Sequence, residues 1–273
     1  MSDVLFAFSL TLIAGLATGV GGLVVLFSKV TNKRFLSICL SFSAGVMLYI
    51  SFAEIFLEAF ESLEHAYGDG MGYLILTVSF FAGIALMAIV DKLIPHDESH
   101  TESLDSFPNH EQASLKEKGE LKRTGISSTI AVAIHNFPEG LITFMAAMHD
   151  PAMGIAIAIA IIIHNIPEGI AMAAPIYHAT GSRAKAFLVS AGAGLTEPLG
   201  ALIAWLVFRN VFEDFEGAFG IIFAAVAGIM VFVAIHQLLP TAQKYGKHHL
   251  VMKWLFAGMA VMAISLVVIE FVF

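Results

Sequence analysis

Apolar residues arrive in blocks along this chain, not in the alternation of a half-buried strand or the one-sided stripe of a soluble helix. Eight blocks can be drawn, at about residues 4–28, 35–60, 72–93, 125–148, 152–177, 186–208, 217–240 and 250–271. Each is long enough, at about 1.5 Å per helical residue, to cross a hydrocarbon core of about 30 Å. The pattern predicts an all-α, polytopic membrane protein of eight transmembrane helices forming a single transmembrane domain over 1–273. Its one polar interruption is a flexible cytoplasmic loop at about 95–124. No basic residue precedes the first block, so it reads as a retained span and not as a cleaved signal peptide.

The blocks repeat. Gly15-Leu16-Ala17-Thr18-Gly19-Val20-Gly21 parallels Gly194-Leu195-Thr196-Glu197-Pro198-Leu199-Gly200. Ala44-Gly45-Val46-Met47 parallels Ala227-Gly228-Ile229-Met230, and the segment from Phe81 to Ile89 parallels that from Phe256 to Ile264. The offsets are 179, 183 and 175 residues and keep their order, so spans one to three match spans six to eight. A shift of five spans is odd, so matched helices cross in opposite directions. A 3+2+3 arrangement with an inverted repeat follows, of the kind that places a transport site near mid-membrane at the repeat interface.

Composition agrees with the block pattern. The chain is 58% hydrophobic and 13% charged, with a mean hydropathy of +0.84, too apolar for a soluble domain of this length. Of 14 Lys and Arg residues, all but Arg209 fall on the same side of the predicted topology. The positive-inside rule makes that side the cytoplasm and sets both termini outside it. The net charge of −8 leaves no basic face for nucleic acid. The single Cys39 excludes an internal disulfide and a thiolate-based metal centre.

Candidate chemistry lies inside the fourth and fifth blocks. His135-Asn136-Phe137-Pro138-Glu139-Gly140 and His164-Asn165-Ile166-Pro167-Glu168-Gly169 are near-copies. A carboxylate at the middle of a membrane helix costs about 2.5–3.5 kcal/mol on insertion scales, so two of them need a function. Within each copy the His and Glu are four residues apart and the Asn lies about 100° from the His, so all three share an arc. Pro138 and Pro167 each free a backbone carbonyl one turn back. A further acid, Glu197, precedes Pro198 in span six. These donors suit a binuclear site for a divalent cation such as zinc, iron, manganese or cobalt better than Cu(I), which prefers sulfur. The alternative is structural: His and Asn bridging helices, with each Glu held against a backbone carbonyl.

The paired blocks within eight helices resemble the ZIP (Zrt-, Irt-like protein) family of divalent metal transporters, and within it the bacterial zinc-uptake, ZupT-like branch. The resemblance covers essentially the whole chain. It implies that His135, Glu139, His164 and Glu168 form one metal position. Asn136, Asn165 and Glu197, with the two shared glutamates, form the other. It also implies a multi-pass protein of the bacterial inner membrane that takes up zinc as substrate, with iron, manganese, cobalt and cadmium as further cargo and no cofactor. A passive cation channel and an intramembrane zinc-dependent hydrolase are the rival functions; no His-Glu-x-x-His block supports the second. The partners expected are divalent metal ions and the lipid bilayer, and the Gly-rich helices permit a homodimer.

A route can be drawn to and from the site. Glu54, Glu58, Glu61, Glu64 and His65 step along span two by three or four residues, a stripe that would concentrate cations. Glu54 and Glu58 are the candidate entry residues. His236, near the inner end of span seven, is the candidate exit residue. The loop carries His96, Asp97, Glu98, His100, Glu102, Asp105, His110 and Glu111, which reads as a solvated linker. His149-Asp150-Pro151 reads as a tight turn making spans four and five antiparallel neighbours.

Overall fold

The computed structural model describes residues 2–27, 33–93, 110–209 and 216–272, and among these the protein is helical throughout, without strands. In chain order the helices are α1 (Ser2–Phe27), α2 (Lys33–Ile50), α3 (Phe56–Tyr67), α4 (Asp69–Leu93), α5 (His110–His149), α6 (Pro151–Thr180), α7 (Arg183–Gly194), α8 (Thr196–Phe208), α9 (Glu216–Phe232), α10 (Leu239–Tyr245) and α11 (His248–Val272). A π-helical turn at Ser51–Ile55 joins α2 to α3, and another at Val233–Leu238 joins α9 to α10. Counting each joined pair as one rod, seven stretches of the described residues are long and apolar enough to cross a membrane.

The helix carrying His135 to Gly140, α5, is not among those seven. It runs 40 residues from His110, so 110–124 of the predicted loop is helical here. Apart from Gly119, residues 111–123 are mostly strong helix formers, which explains the extension. The remainder of that loop, with His96, Asp97, Glu98, His100, Glu102 and Asp105, lies outside the described residues.

Turns follow local chemistry. Asp150 caps α6, its Oδ1 accepting from the amides of Ala152 (2.6 Å) and Met153 (3.0 Å), with Pro151 as the first helical residue. The predicted tight turn between α5 and α6 is therefore present. Ser182 caps α7 through the Lys185 amide (3.3 Å). The α7–α8 rod breaks at Leu195, three residues ahead of Pro198.

α1, α5, α6 and the α7–α8 rod pack against one another around the motif residues; α11 lies on α2, and α4 on α9. Glycine makes the approaches close. A β-carbon at Gly140 would overlap the Glu197 carbonyl, and one at Gly169 the Thr18 carbonyl; Gly21 and Gly200 stand likewise against Ile166 and Phe137. Gly15 and Gly194 face each other, Gly45 meets Leu255 where Gly228 meets Phe80, and Gly83 meets Ala225 where Gly258 meets Phe42. Every pair of contacts is related by the offsets already noted between spans one to three and six to eight, or by the 29 residues between the two blocks. The two π turns also sit at matching positions, 183 residues apart at their C-terminal ends. Outward-facing Leu74, Val78, Phe81 and Ile89 of α4, with Phe256, Ile264 and Val267 of α11, leave an apolar exterior, as a hydrocarbon solvent requires.

Candidate metal centre

α5 contributes His135, Asn136 and Glu139; α6 contributes His164, Asn165 and Glu168; α8 contributes Glu197. All seven are at most 1% exposed, so the polar arc predicted from the helical spacing is turned inward on both helices. The close glycine contacts at 140 and 200 bring α5 onto α8, that at 154 brings α6 onto α5, and that at 169 brings α6 onto α1.

The two blocks interlock crosswise. His135 Nε2 lies 3.0 Å from Glu168 Oε2, and His164 Nε2 lies 3.3 Å from Glu139 Oε1. Each imidazole thus meets the carboxylate of the other helix. Asn165 donates through Nδ2 to Glu197 Oε1 at 2.5 Å and to the Ala14 carbonyl at 3.0 Å, which ties α6 to α8 and α1.

His164 Nδ1 is 2.9 Å from the Ala160 carbonyl. A carbonyl only accepts, so Nδ1 carries hydrogen and the Nε2 lone pair of the neutral ring points at Glu139. Two lone pairs at that separation call for a shared cation, whether proton or metal. The distance is informative. Ligands about 2.0–2.1 Å from a tetrahedral zinc lie about 3.3–3.4 Å from each other, which matches the His164–Glu139 separation. The other pair, at 3.0 Å, would open slightly to admit an ion. Among the described residues no three His, Cys, Asp or Glu groups form a ready-made ligand set. The two cross-helix edges would therefore have to close on an arriving ion. Ligating capacity is available, because His135 Nδ1, Asn136 Oδ1, Glu139 Oε2, Asn165 Oδ1 and Glu197 Oε2 are buried without hydrogen-bond partners among the described residues.

Ser43 was not singled out from the sequence, yet its hydroxyl lies 3.2 Å from Glu168 Oε1 and 3.3 Å from the His164 carbonyl, joining α2 to the centre. Thr143 Oγ1 donates to the Glu139 carbonyl (2.7 Å). A small hydroxyl in an apolar span gives no distinctive sequence signal, and only the fold brings Ser43 to Glu168.

The route residues stand on elements other than α5, α6 and α8. Glu54 sits in the first π turn and Glu58 on the next turn of α3, both half-buried; Glu61 and His65 are exposed. His65 pairs with Glu216 at 2.8 Å. In the second π turn, His236 Nε2 lies 3.2 Å from Asp91 Oδ2, and Gln237 Nε2 donates to Asp91 Oδ1 at 2.7 Å. Asp91, a buried acid in the last turns of α4, is a second residue the sequence reading passed over, although an acid near the end of an apolar run is visible there.

The model of the family described as "ZIP Zinc transporter" matches residues 3–266. The chain belongs to the ZIP family. Similar curated proteins include zinc transporter ZupT of Chlorobaculum parvum, 51% identical over 97% of this chain and 98% of the relative. That of Clostridium perfringens is 50% identical over 97% and 96%, and that of Lysinibacillus sphaericus 52% identical over 98% of each. For a ZIP chain the seven buried polar residues are the natural place to look for cargo, and its membership excludes the hydrolase rival as the family's activity.

Proposed function

We propose that this chain is a zinc transporter that carries the ion across a bacterial inner membrane into the cytoplasm, through a binuclear centre at mid-membrane. His135, Glu139, His164 and Glu168 hold one ion; Asn136, Asn165 and Glu197 hold the other, with the two motif glutamates shared. The observation that carries this reading is the crosswise pairing of two fully buried imidazoles with two fully buried carboxylates at ligand-to-ligand distance. Family membership over nearly the full chain supports it independently. Iron, manganese, cobalt and cadmium, which accept the same nitrogen and oxygen donors, are the further cargo.

The topology we infer has eight spans, α5 being the eighth through its apolar half, in a 3+2+3 order about a pseudo-twofold axis. The paired glycine contacts and the matched π turns support it. The charge distribution supports placing both termini outside the cytoplasm. Cargo enters past Glu54 and Glu58 and leaves past His236. The whole route lies within one chain, so a homodimer would pair complete routes through lipid-facing helices. The test is uptake of radiolabelled zinc into proteoliposomes. Saturating uptake that accelerates with zinc preloaded inside marks a carrier; linear, non-saturating flux marks the channel instead. Uptake that survives Glu139→Ala and Glu168→Ala would remove the centre from the mechanism.

A further inference from the structure

The scaffold around the centre is matched about its middle, but its chemistry is not. Adding 179 to the numbers of α1 gives those of α7–α8, and adding 29 takes α5 to α6. Under these offsets Glu197 corresponds to Thr18, Asn165 to Asn136, and Ala14 to Ala193. The contacts obey the correspondence. The Glu197 carbonyl abuts Gly140 and the Thr18 carbonyl abuts Gly169. A β-carbon built on Gly15 would lie 3.4 Å from Glu197 Cβ, and one built on Gly194 would lie 3.1 Å from Thr18 Cβ. Thr18 therefore stands on α1 as Glu197 stands on α8, and the repeat matches it to Asn136 as Glu197 is paired with Asn165.

On the Glu197 side the polar groups are joined: Asn165 bonds to Glu197 and to the Ala14 carbonyl. On the Thr18 side they are not. Thr18 Oγ1 and both amide atoms of Asn136 are buried and find no hydrogen-bond partner among the described residues. The hydrogen bonding elsewhere accounts for this. A helical threonine commonly donates to the carbonyl four residues back, as Thr11 does to Ala7 (2.9 Å). For Thr18 that carbonyl is Ala14, which already accepts from Asn165. For Asn136 the matching anchor is the Ala193 carbonyl, which already accepts from Thr196 Oγ1 at 2.6 Å.

Buried neutral donors and acceptors left over on two residues that the repeat matches as a pair are costly unless something polar meets them. Being neutral, they offset the charge of a dehydrated divalent ion less well than carboxylates do. They are suited to hold a water molecule that the ion keeps.

We propose that Thr18 and Asn136 together form a water-holding half-site for the transported cation, opposite the carboxylate half-site of Asn165 and Glu197, and that Thr18 is thereby a residue that sets cargo affinity. This rests on the reading of the motif residues as the transport centre. It makes the two sides of the second ion position unequal: toward Glu197 the ion loses water to a carboxylate, and toward Thr18 and Asn136 it retains water on a hydroxyl and an amide.

The test compares wild type, Thr18→Val, Thr18→Ser, Thr18→Ala and Glu139→Ala, each full-length, by zinc uptake in proteoliposomes and by thermal melting. Thr18→Val keeps the shape and removes only the hydroxyl. Its KM for zinc is expected to rise about tenfold, the low end of the loss when an outer partner of a metal site is removed, with Thr18→Ser close to wild type. Were Thr18 packing alone, deleting an unpartnered buried hydroxyl would leave KM unchanged and raise the melting temperature; that result overturns the proposal. If the valine variant does not fold, Thr18→Ala is read against Thr18→Ser in the same way. Glu139→Ala separates the two levels. Loss of uptake there with an unchanged Thr18→Val KM defeats only this inference, whereas normal uptake in Glu139→Ala defeats the centre itself.

Discussion

Gly140 and Gly169 offer a test of how the centre is assembled, because each lets one motif helix rest directly on another chain segment. A methyl group at Gly140 would overlap the Glu197 carbonyl oxygen and the carbon behind it; at Gly169 it would overlap the Thr18 carbonyl. In both cases the obstruction is backbone within a helix, so no side chain can swing aside and whole helices must separate. Overpacking of this sort costs about 1–3 kcal/mol. A change of 1 kcal/mol moves the melting temperature of a chain of about this size by about 2–4 °C, so Gly140→Ala should melt lower by about 2–12 °C. The displacement falls between Glu139 and Glu197, and KM for zinc should rise with it. Gly192 is the control: it lies in α7 with no atom within 4 Å of a built β-carbon. Alanine there should be neutral or stabilising by about 0.5–1 kcal/mol, from helix propensity alone. The assay is thermal melting of the purified protein together with zinc uptake in proteoliposomes. Wild-type melting and KM in Gly140→Ala and Gly169→Ala would refute the reasoning.

Ser43→Ala removes a hydroxyl 3.2 Å from Glu168; a hydrogen bond to a charged group is worth about 1.5–3 kcal/mol, so zinc KM should rise by about tenfold or more while Ser43→Thr restores part of it. Asp150→Ala removes the cap of α6 and should cost about 1 kcal/mol in stability, read by melting, with KM unchanged. Uptake should fall as the outer pH is lowered. The sign follows from competition: imidazole and carboxylate must shed protons to bind metal, so acid favours the protonated, metal-free ligands, and a flat initial-rate profile across the acid range would contradict it. Asp91→Asn keeps the shape of the contact to His236 and Gln237 but removes the charge; slower zinc release into dye-loaded vesicles is expected, with binding to the centre in detergent unaltered.

Much of the architecture was legible because membrane helices advertise themselves by length and apolarity, and because a repeated block is its own evidence. Six of the seven centre residues stand in the repeated block, where the four-residue step from His to Glu forces a common face, and all seven are buried. Glu197 was found because an acid before proline inside an apolar run has no cheap explanation. Ser43 and Thr18 were not, since a lone hydroxyl is ordinary in such helices and its value depends on which neighbour already occupies the carbonyl behind it. The crosswise pairing was equally hidden, because spacing fixes which face a residue shares but not how two faces mesh. The π turns, which hold Glu54 and His236 one repeat position apart in the two rods, arise from backbone geometry that composition does not announce. The helical start of α5 at His110 replaced part of the expected loop because charged helix formers can continue a helix beyond an apolar span.

The most direct measurement is of the bound ion itself: zinc per purified chain by equilibrium dialysis, with X-ray absorption at the zinc edge, for wild type and for the Glu139→Ala, Glu168→Ala double variant. The account predicts a pair of zinc ions in the wild type, ligated by nitrogen and oxygen without sulfur, and loss of both in the variant. Zinc retained at full stoichiometry by the double variant, or a sulfur ligand from Cys39, would contradict it.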